Sequence, residues 1–359
     1  MSFETEIVKE GLAEIEVPKV DRPHGPGRRS RLPFYNPLMR TNRDVTILIT
    51  MNELHDGARL LDGLAATGVS GIRIALEADQ EFEITLNDRN PTCRDLILSN
   101  IKRNEARGCT ATNEDLNCIL ARHRFDFVDV DPFGAPVRFV EGALCATANG
   151  GIVGITATDT PVLCGSRKRA CVRRYDSIPR KTEYCHELGL RILLGYIARV
   201  AARFDRGIEP LLCFSTDHYF RAIVRVRKGA GKANETLRRL GYLHEKGLER
   251  RLLPEAGIAG PLWSDVLLDS CFLGAIRLPS HFPHKVSRLL DLWREEALSP
   301  PLFYTTSEVA KGFLANPPAI DDLIAALKDR GFLATRTHFK PDAFKTNADI
   351  ETLEKVVRT

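Results

Sequence analysis

Between Ala58 and Ala157 two hydrophobic periods take turns along the chain. Short apolar runs that read as strands cover Arg59–Asp62, Glu83–Asn87, Cys109–Asn113, Phe125–Val130 and Gly151–Ala157. Between them, near Val69–Ala78, Thr92–Arg107 and Val137–Ala148, apolar residues recur at the three- and four-residue spacing of a helix face. This alternation predicts a parallel sheet with helices on both faces, because a parallel pair needs a crossover long enough to hold a helix. A long helical pattern, Glu183 to Phe204, leads to two more strands, Leu211–Ser215 and Ala222–Val226. The few residues between them, Asp217-His218-Tyr219 among them, allow only a tight connection, so this pair should be an antiparallel hairpin.

The polar, Gly-rich stretch Lys228–Asn234 reads as a boundary, dividing the chain into 1–230 and 231–359. Beyond it, helical spacing covers Val286–Glu296, Thr306–Leu314 and Ile320–Arg330. Thr305 or Thr306 is placed to cap the second of these, with Glu308 near its first turn. Gly331 stops the third, a strand pair is expected in Phe332–Phe339, and a helix at Asp349–Val357 ends the chain. The second part is therefore expected to be a smaller α+β module with winged-helix character.

The strand pattern sets four acids, Asp62, Asp88, Asp115 and Asp131, at or just after strand ends. Ligands of such sheets bind at the carboxyl ends, and an acid after the second strand suits ribose hydroxyls. The strand order and the absence of a full G-x-G-x-x-G separate the chain from dinucleotide dehydrogenases. Asp131 opens Asp131-Pro132-Phe133-Gly134. Taken alone, Asp-Pro merely ends a buried strand. The strand-loop-helix pattern upstream, from Leu60-Leu61-Asp62-Gly63 to Gly71, makes a site the better reading. An acid and carbonyl oxygens accept N–H bonds while an aromatic ring stacks, so the expected target is an exocyclic nitrogen on a planar base.

Composition changes this picture little. With 43% hydrophobic and 27% charged residues the 359-residue chain is an ordinary globular sequence, and no apolar run approaches membrane-spanning length. Met1 to Glu16 lacks the basic and apolar regions of a signal peptide, so a cytoplasmic location is expected. The nine cysteines form no CxxC pair, and most have apolar neighbours, which favours reduced, buried thiols. His281 and His284, three apart around a proline, read as a loop pair rather than metal ligands. The net charge of +4 is modest, but its distribution is not even. Arg28, Arg29 and Arg31 cluster in a Gly/Pro-rich loop; Arg167, Lys168, Arg169, Arg173 and Arg174 crowd the segment after the fifth strand. Such runs are usually solvated faces, but two of them flanking the strand ends would form a groove for phosphates.

Several stretches together resemble the archaeal and eukaryotic tRNA (guanine-26, N2)-dimethyltransferases over nearly the whole chain. They are Phe34-Tyr35-Asn36-Pro37 with Met39 and Asn42-Arg43-Asp44; the Ala-Thr-Gly loop ending at Arg73; Asn87-Asp88; Asp129 to Gly134; Thr156 to Asp159 with Leu163-Cys164-Gly165; Thr182 to Arg191; Ser215 to Arg221; and Thr335 to Phe339 with Lys345-Thr346. The resemblance implies a class I S-adenosylmethionine-dependent methyltransferase, a Rossmann-like sheet with a C-terminal antiparallel hairpin, followed by a smaller α+β domain that binds tRNA. It implies S-adenosyl-L-methionine as methyl donor and tRNA as partner. Arg43 and Arg73 would then contact the donor's carboxylate end, Asp88 its ribose, and Asp115 with Leu116 its adenine, with Asp62 in the same cavity. Asp131, Pro132 and Phe133 would hold the guanine, and the two basic segments the tRNA.

One departure is Ser70, where the family usually has a second arginine. Some relatives bind zinc through cysteine pairs in the second domain; here Leu253–Cys271 keeps Gly260-Pro-Leu-Trp263 but a single cysteine, so no metal is expected. A monomer acting without membrane contact completes the expectation. Two rivals remain at this level: an amino-methyltransferase for another nucleic-acid base, and an RNA-binding protein that keeps the fold without catalysis.

Overall fold

The computed structural model describes residues 3–19, 32–216 and 218–358. Arg28, Arg29 and Arg31 lie outside them. The chain opens with a hairpin, β1 (Thr5–Glu10) and β2 (Ala13–Pro18), then helix α1 (Arg40–Glu53). The alternating part follows as β3 (Arg59–Asp62), α2 (Val69–Glu77), β4 (Glu83–Asn87), α3 (Pro91–Arg103), β5 (Cys109–Thr112), α4 (Leu116–Arg122), β6 (Phe125–Val130), α5 (Val137–Ala146) and β7 (Thr147–Ala157). Short helices α6 (Thr160–Leu163) and α7 (Lys168–Tyr175) precede the long α8 (Cys185–Ala202) and the hairpin β8 (Arg206–Thr216) and β9 (Tyr219–Lys228).

These strands form one seven-stranded sheet in the order β5-β4-β3-β6-β7-β9-β8. The five strands from β3 to β7 are parallel, and β9 returns antiparallel between β7 and β8, as the pattern predicts. The order reverses direction between β3 and β6. A crevice opens at such a switch point because the following loops leave to opposite sides.

The second half comprises α9 (Ala230–Leu237), a three-stranded sheet of β10 (Leu240–Lys246), β11 (Glu249–Leu253) and β12 (Ala259–Trp263), then α10 (Ser270–Ala275) and α11 (His284–Glu296). The chain ends in β13 (Tyr304–Thr305), α12 (Thr306–Gly312), α13 (Ile320–Asp329), β14 (Ala334–Thr337), β15 (Lys340–Thr346) and α14 (Ile350–Arg358). Thr305 caps α12, accepting from the Glu308 N–H at 3.1 Å. The strand pair expected in Phe332–Phe339 is one strand, β14, whose partner β15 follows.

The stretch read as a boundary holds α9, which packs on β8 through the Thr236 side chain bonded to Ile208. The larger hydrophobic core runs past it, taking in Leu243, Leu262, Trp263, Trp293 and Phe303. A separate core gathers Val309, Leu323, Leu327, Phe344 and Leu353. The larger core thus continues beyond residue 230 and reaches Ala343, beside the second one. No helix of the described residues is long and apolar enough to cross a membrane.

Candidate active site

A cavity of about 570 Å³ opens where the sheet order reverses. Asp62, Asp88, Asp115, Leu116, Asp129, Asp131, Pro132 and Phe133 line it, each from the end of a parallel strand or the loop that follows. Asn36, Met39, Asn42, Arg43 and Thr46 close it from the start of α1 and the turn before it.

The loop acids are held by local bonds that fix their orientation. The Asp88 carboxylate accepts from the Ala66 N–H at 3.1 Å and the Asn90 N–H at 2.8 Å. Asp115 caps α4, accepting from the Asn117 N–H at 2.9 Å, with Arg89 and Arg138 within 4 Å of its second oxygen. Capping is what Asp most often does there, and it occupies one oxygen. Gly63 brings β3 close to its neighbours: a Cβ there would stand 2.8 Å from Leu116 and 3.0 Å from the Asp129 carbonyl.

The Asp131 turn is tied to β7. Gly134, at φ +82°, donates its N–H to Thr158 Oγ1 at 2.7 Å and accepts the Thr158 N–H at 3.0 Å. Its left-handed conformation suits a residue without a Cβ. Phe133 is exposed at the mouth, its ring 4.8 Å from that of Phe34 in an edge-on arrangement. Asp131 accepts from Asn42 Nδ2 at 3.1 Å, and the same amide reaches Thr156 Oγ1 at 3.4 Å. Asn42 Oδ1 is buried without a hydrogen-bond partner among the described residues.

Desolvation, then the neighbouring Asp129 charge, push the Asp131 carboxyl up to about 6; Arg221 and Arg43 oppose them. Asp62 is raised too, by burial and by Asp129 and Asp131. Asp129 is answered by the fully buried Arg221, whose Nη1 lies 2.7 Å away and also donates to Thr156. Loss of solvent and like charges both disfavour the ionised form, so the shifts follow from burial first and the crowding of acids second.

The two arginines expected at the donor end part company. Arg43 lines the cavity but gives Nε and Nη2 to Glu10, both at 2.6 Å. Arg73 does not line the cavity. It is buried beneath it, paired with Glu77 at 2.7 Å, Glu10 at 2.9 Å and Asp44 at 2.7 Å. Among the described residues three carboxylates occupy its guanidinium. Ser70, at the departure from the family pattern, lines the cavity directly.

Arg167, Lys168, Arg169, Arg173 and Arg174 are all exposed on or beside α7, which follows β7 and α6 on the carboxyl-end side of the sheet. Arg174 also pairs with Asp159 at 3.0 Å. All nine cysteines are free: Cys213 is buried, Cys145 half-buried, and Cys118 and Cys271 exposed. His281 stands 3.6 Å from Glu77, while His284 opens α11. Sequence reasoning assigned no role to Glu10, Asn42, Thr156 or Arg221. Asn42, Thr156 and Arg221 sit inside stretches that carry the resemblance, but only the fold shows what they touch.

The family model described as N2,N2-dimethylguanosine tRNA methyltransferase matches residues 13–358. The tRNA (guanine(26)-N(2))-dimethyltransferase of Pyrococcus furiosus is 41% identical, with all of both chains covered. The enzyme of that description from Thermococcus kodakarensis is 38% identical over 98% of each. The fold matches that of Trm1 from Pyrococcus horikoshii, solved in complex with S-adenosyl-L-methionine, with a TM-score of 0.88 and 37% identity over 99% of this chain and all of that one.

Proposed function

Since the chain belongs to the N2,N2-dimethylguanosine tRNA methyltransferase family, we propose that it methylates the exocyclic N2 of guanosine 26 in tRNA, once and then again, using S-adenosyl-L-methionine. The observation that carries this reading is the cavity's composition: donor-side acids on one wall, and on the other a carboxylate and an amide beside two exposed or half-buried aromatic rings.

The residues present fit the methyl donor. Asp88, with its oxygens oriented by two backbone N–H groups, keeps lone pairs for ribose hydroxyls. Asp115 and Leu116 face the adenine, with the second Asp115 oxygen taking its amine. Arg43, held by Glu10, still has Nη1 to offer the donor carboxylate. The donor supplies a methyl group already activated on a sulfonium sulfur, so the protein's work is alignment.

On the base side a guanine edge presents N1–H and N2–H donors. Asp131 and the orphaned Asn42 Oδ1 are acceptors, whereas an adenine edge would set its N1 acceptor against them. Asp131 and the Pro132 carbonyl draw on the N2–H bonds and turn the nitrogen lone pair toward the methyl carbon. As the N–C bond forms and the C–S bond breaks, its electron pair passes to sulfur; the proton on nitrogen leaves afterwards to water or Asp131. The transfer needs no metal in this scheme. Base 26 must leave its stack to reach the cavity, where Phe133 and Phe34 flank it. The exposed basic face of α7 grips the backbone.

The test is methyl incorporation from labelled donor into tRNA transcripts with guanosine or adenosine at position 26, followed by nucleoside analysis. The reading requires mono- and dimethylguanosine from the first and nothing from the second, with tRNA affinity largely kept because phosphate contacts carry little sequence information. Equal labelling of both transcripts would refute it, and donor binding without transfer to any RNA would favour the non-catalytic rival.

A further inference from the structure

Behind the cavity wall, the fold brings together three side chains that the sequence keeps apart. Cys164 ends α6, and Cys185 and His186 open α8. Their ligating atoms, two Sγ and one imidazole nitrogen, all lie within 4.8 Å of one another, and Cys185 Sγ is 3.9 Å from His186 Nδ1. Cys164 is buried, while Cys185 and His186 are half-exposed, so the group is reachable from solvent. The His186 ring lies 6.2 Å from Phe220 on β9, whose partner on β7 is Ala157, next to Thr158 of the cavity wall.

We propose that Cys164, Cys185 and His186 form a binding site for a thiophilic divalent cation, with zinc the ion the donor set fits. Two thiolates and an imidazole are soft to borderline ligands, which select zinc over magnesium or calcium. Around tetrahedral zinc, with metal–sulfur bonds of about 2.3 Å and metal–nitrogen bonds of about 2.0 Å, ligand atoms stand roughly 3.5–3.8 Å apart. The observed spacing reaches that by small inward shifts. Binding displaces one proton from each thiol, released to solvent, and leaves a neutral site whose fourth position water fills. The absence of CxxC, on which the expectation of no metal rests, does not bear on this group, because its ligands come from two helices and not one loop.

The ion would also close the 165–184 segment, which carries α7. Tethering a loop at its two ends restricts its open states. The consequence for tRNA rests on the reading of α7 given above, but the metal site does not.

The test uses the full chain, reduced and stripped of metal, titrated with zinc and separately with cobalt. One equivalent should bind, with cobalt giving a thiolate charge-transfer absorption. Cys164→Ser and Cys185→Ser should each abolish that absorption and cut zinc affinity at least tenfold, whereas Cys213→Ser, a buried thiol elsewhere, should bind as the parent does. In the unaltered chain, zinc at ten times its Kd should slow hydrogen exchange of 165–184 by about tenfold. No thiolate absorption, uptake indifferent to both serine variants, a Cys164–Cys185 disulfide in chain isolated without oxidant, or exchange of 165–184 unmoved by bound zinc would overturn the proposal.

Discussion

Glu10 and Asp131 both feel the charge of Arg43 and both carboxyls lose solvent, yet they shift in opposite directions. Burial alone would raise Glu10. The Arg43 and Arg73 guanidiniums and the Tyr35 hydroxyl reverse that and hold it at about 2. Asp131 has an acid beside it, and the cations that oppose burial are also shared with Glu10 and Asp129, so it rises to about 6. What separates them is the sign of the neighbours. Glu10 is charged at every working pH and anchors the β1–β2 hairpin under the cavity. Asp131, at about 6, can hold or release a proton near neutral pH.

The comparison breaks first at Asp131. Asp131→Ala should lower methyl transfer by about 10²–10⁴-fold while leaving donor affinity within twofold, because the acceptor it removes faces the base and not the donor. Equilibrium donor titration beside single-turnover transfer reads both. Transfer at the parental rate would remove Asp131 from the mechanism.

Glu10→Gln keeps the shape and deletes the charge, leaving Arg43 without its carboxylate partner while Arg73 keeps Glu77 and Asp44. The ordinary value for Glu is 4.5, so a folded-state value of about 2 corresponds to about 3 kcal/mol of stability. That contribution is complete above about pH 4.5 and disappears as pH falls toward 2. Denaturant unfolding at neutral pH should show the variant less stable by about that amount, and the difference should close in acid. A variant as stable as the parent at pH 7 would mean that solvent reaches this cluster.

Asp88→Ala should weaken donor binding by about 1.5–3 kcal/mol, the worth of a hydrogen bond to a charged group, with transfer at saturating donor much less affected. A change in rate with no change in donor affinity would place Asp88 with the base instead.

The same contrast explains how much of the molecule could be read from its sequence. The parallel strands and their acids were legible because apolar runs of strand length and period mark a buried sheet, and β3, β4 and β6 begin and end where the pattern sets them. Helix α1 was not. Thr41, Asn42, Arg43, Asp44, Thr46 and Thr50 are all buried there, so polar residues fall on every face and no apolar stripe marks it. The partners that bury such groups come from far along the chain: Glu10 for Arg43, Asp131 for Asn42, Arg221 for Thr46. The pairing of Arg73 with Glu10, Asp44 and Glu77 was hidden for that reason. An arginine looks alike in sequence whether it faces a ligand or three carboxylates. Helix α9, which begins within Lys228–Asn234, was not legible either, because glycine and lysine there sit around a short helix that docks on β8 through one threonine.

The smallest expected effect tests whether Asn42 is part of the poise at Asp131. Its Nδ2–H reaches Asp131 Oδ2 at 3.1 Å, and a bond to the charged form favours ionisation. In the free enzyme, kcat/KM for tRNA should therefore rise with pH, reach half its plateau near pH 6, and level off above, since the ionised carboxylate is the form that accepts from the guanine N–H while still accepting from Asn42. Asn42→Ala removes the supporting donor, so the carboxylate is held less well and the inflection should move up by about one pH unit. Asn42→Asp would place a second acid beside the first and move it further in that direction. A lower plateau with the inflection unmoved would leave Asn42 a contact to the base but remove it from the poise at Asp131. A profile flat from pH 5 to 8 would show that Asp131 does not titrate where its crowded surroundings place it, and the contrast with Glu10 would lose its functional meaning.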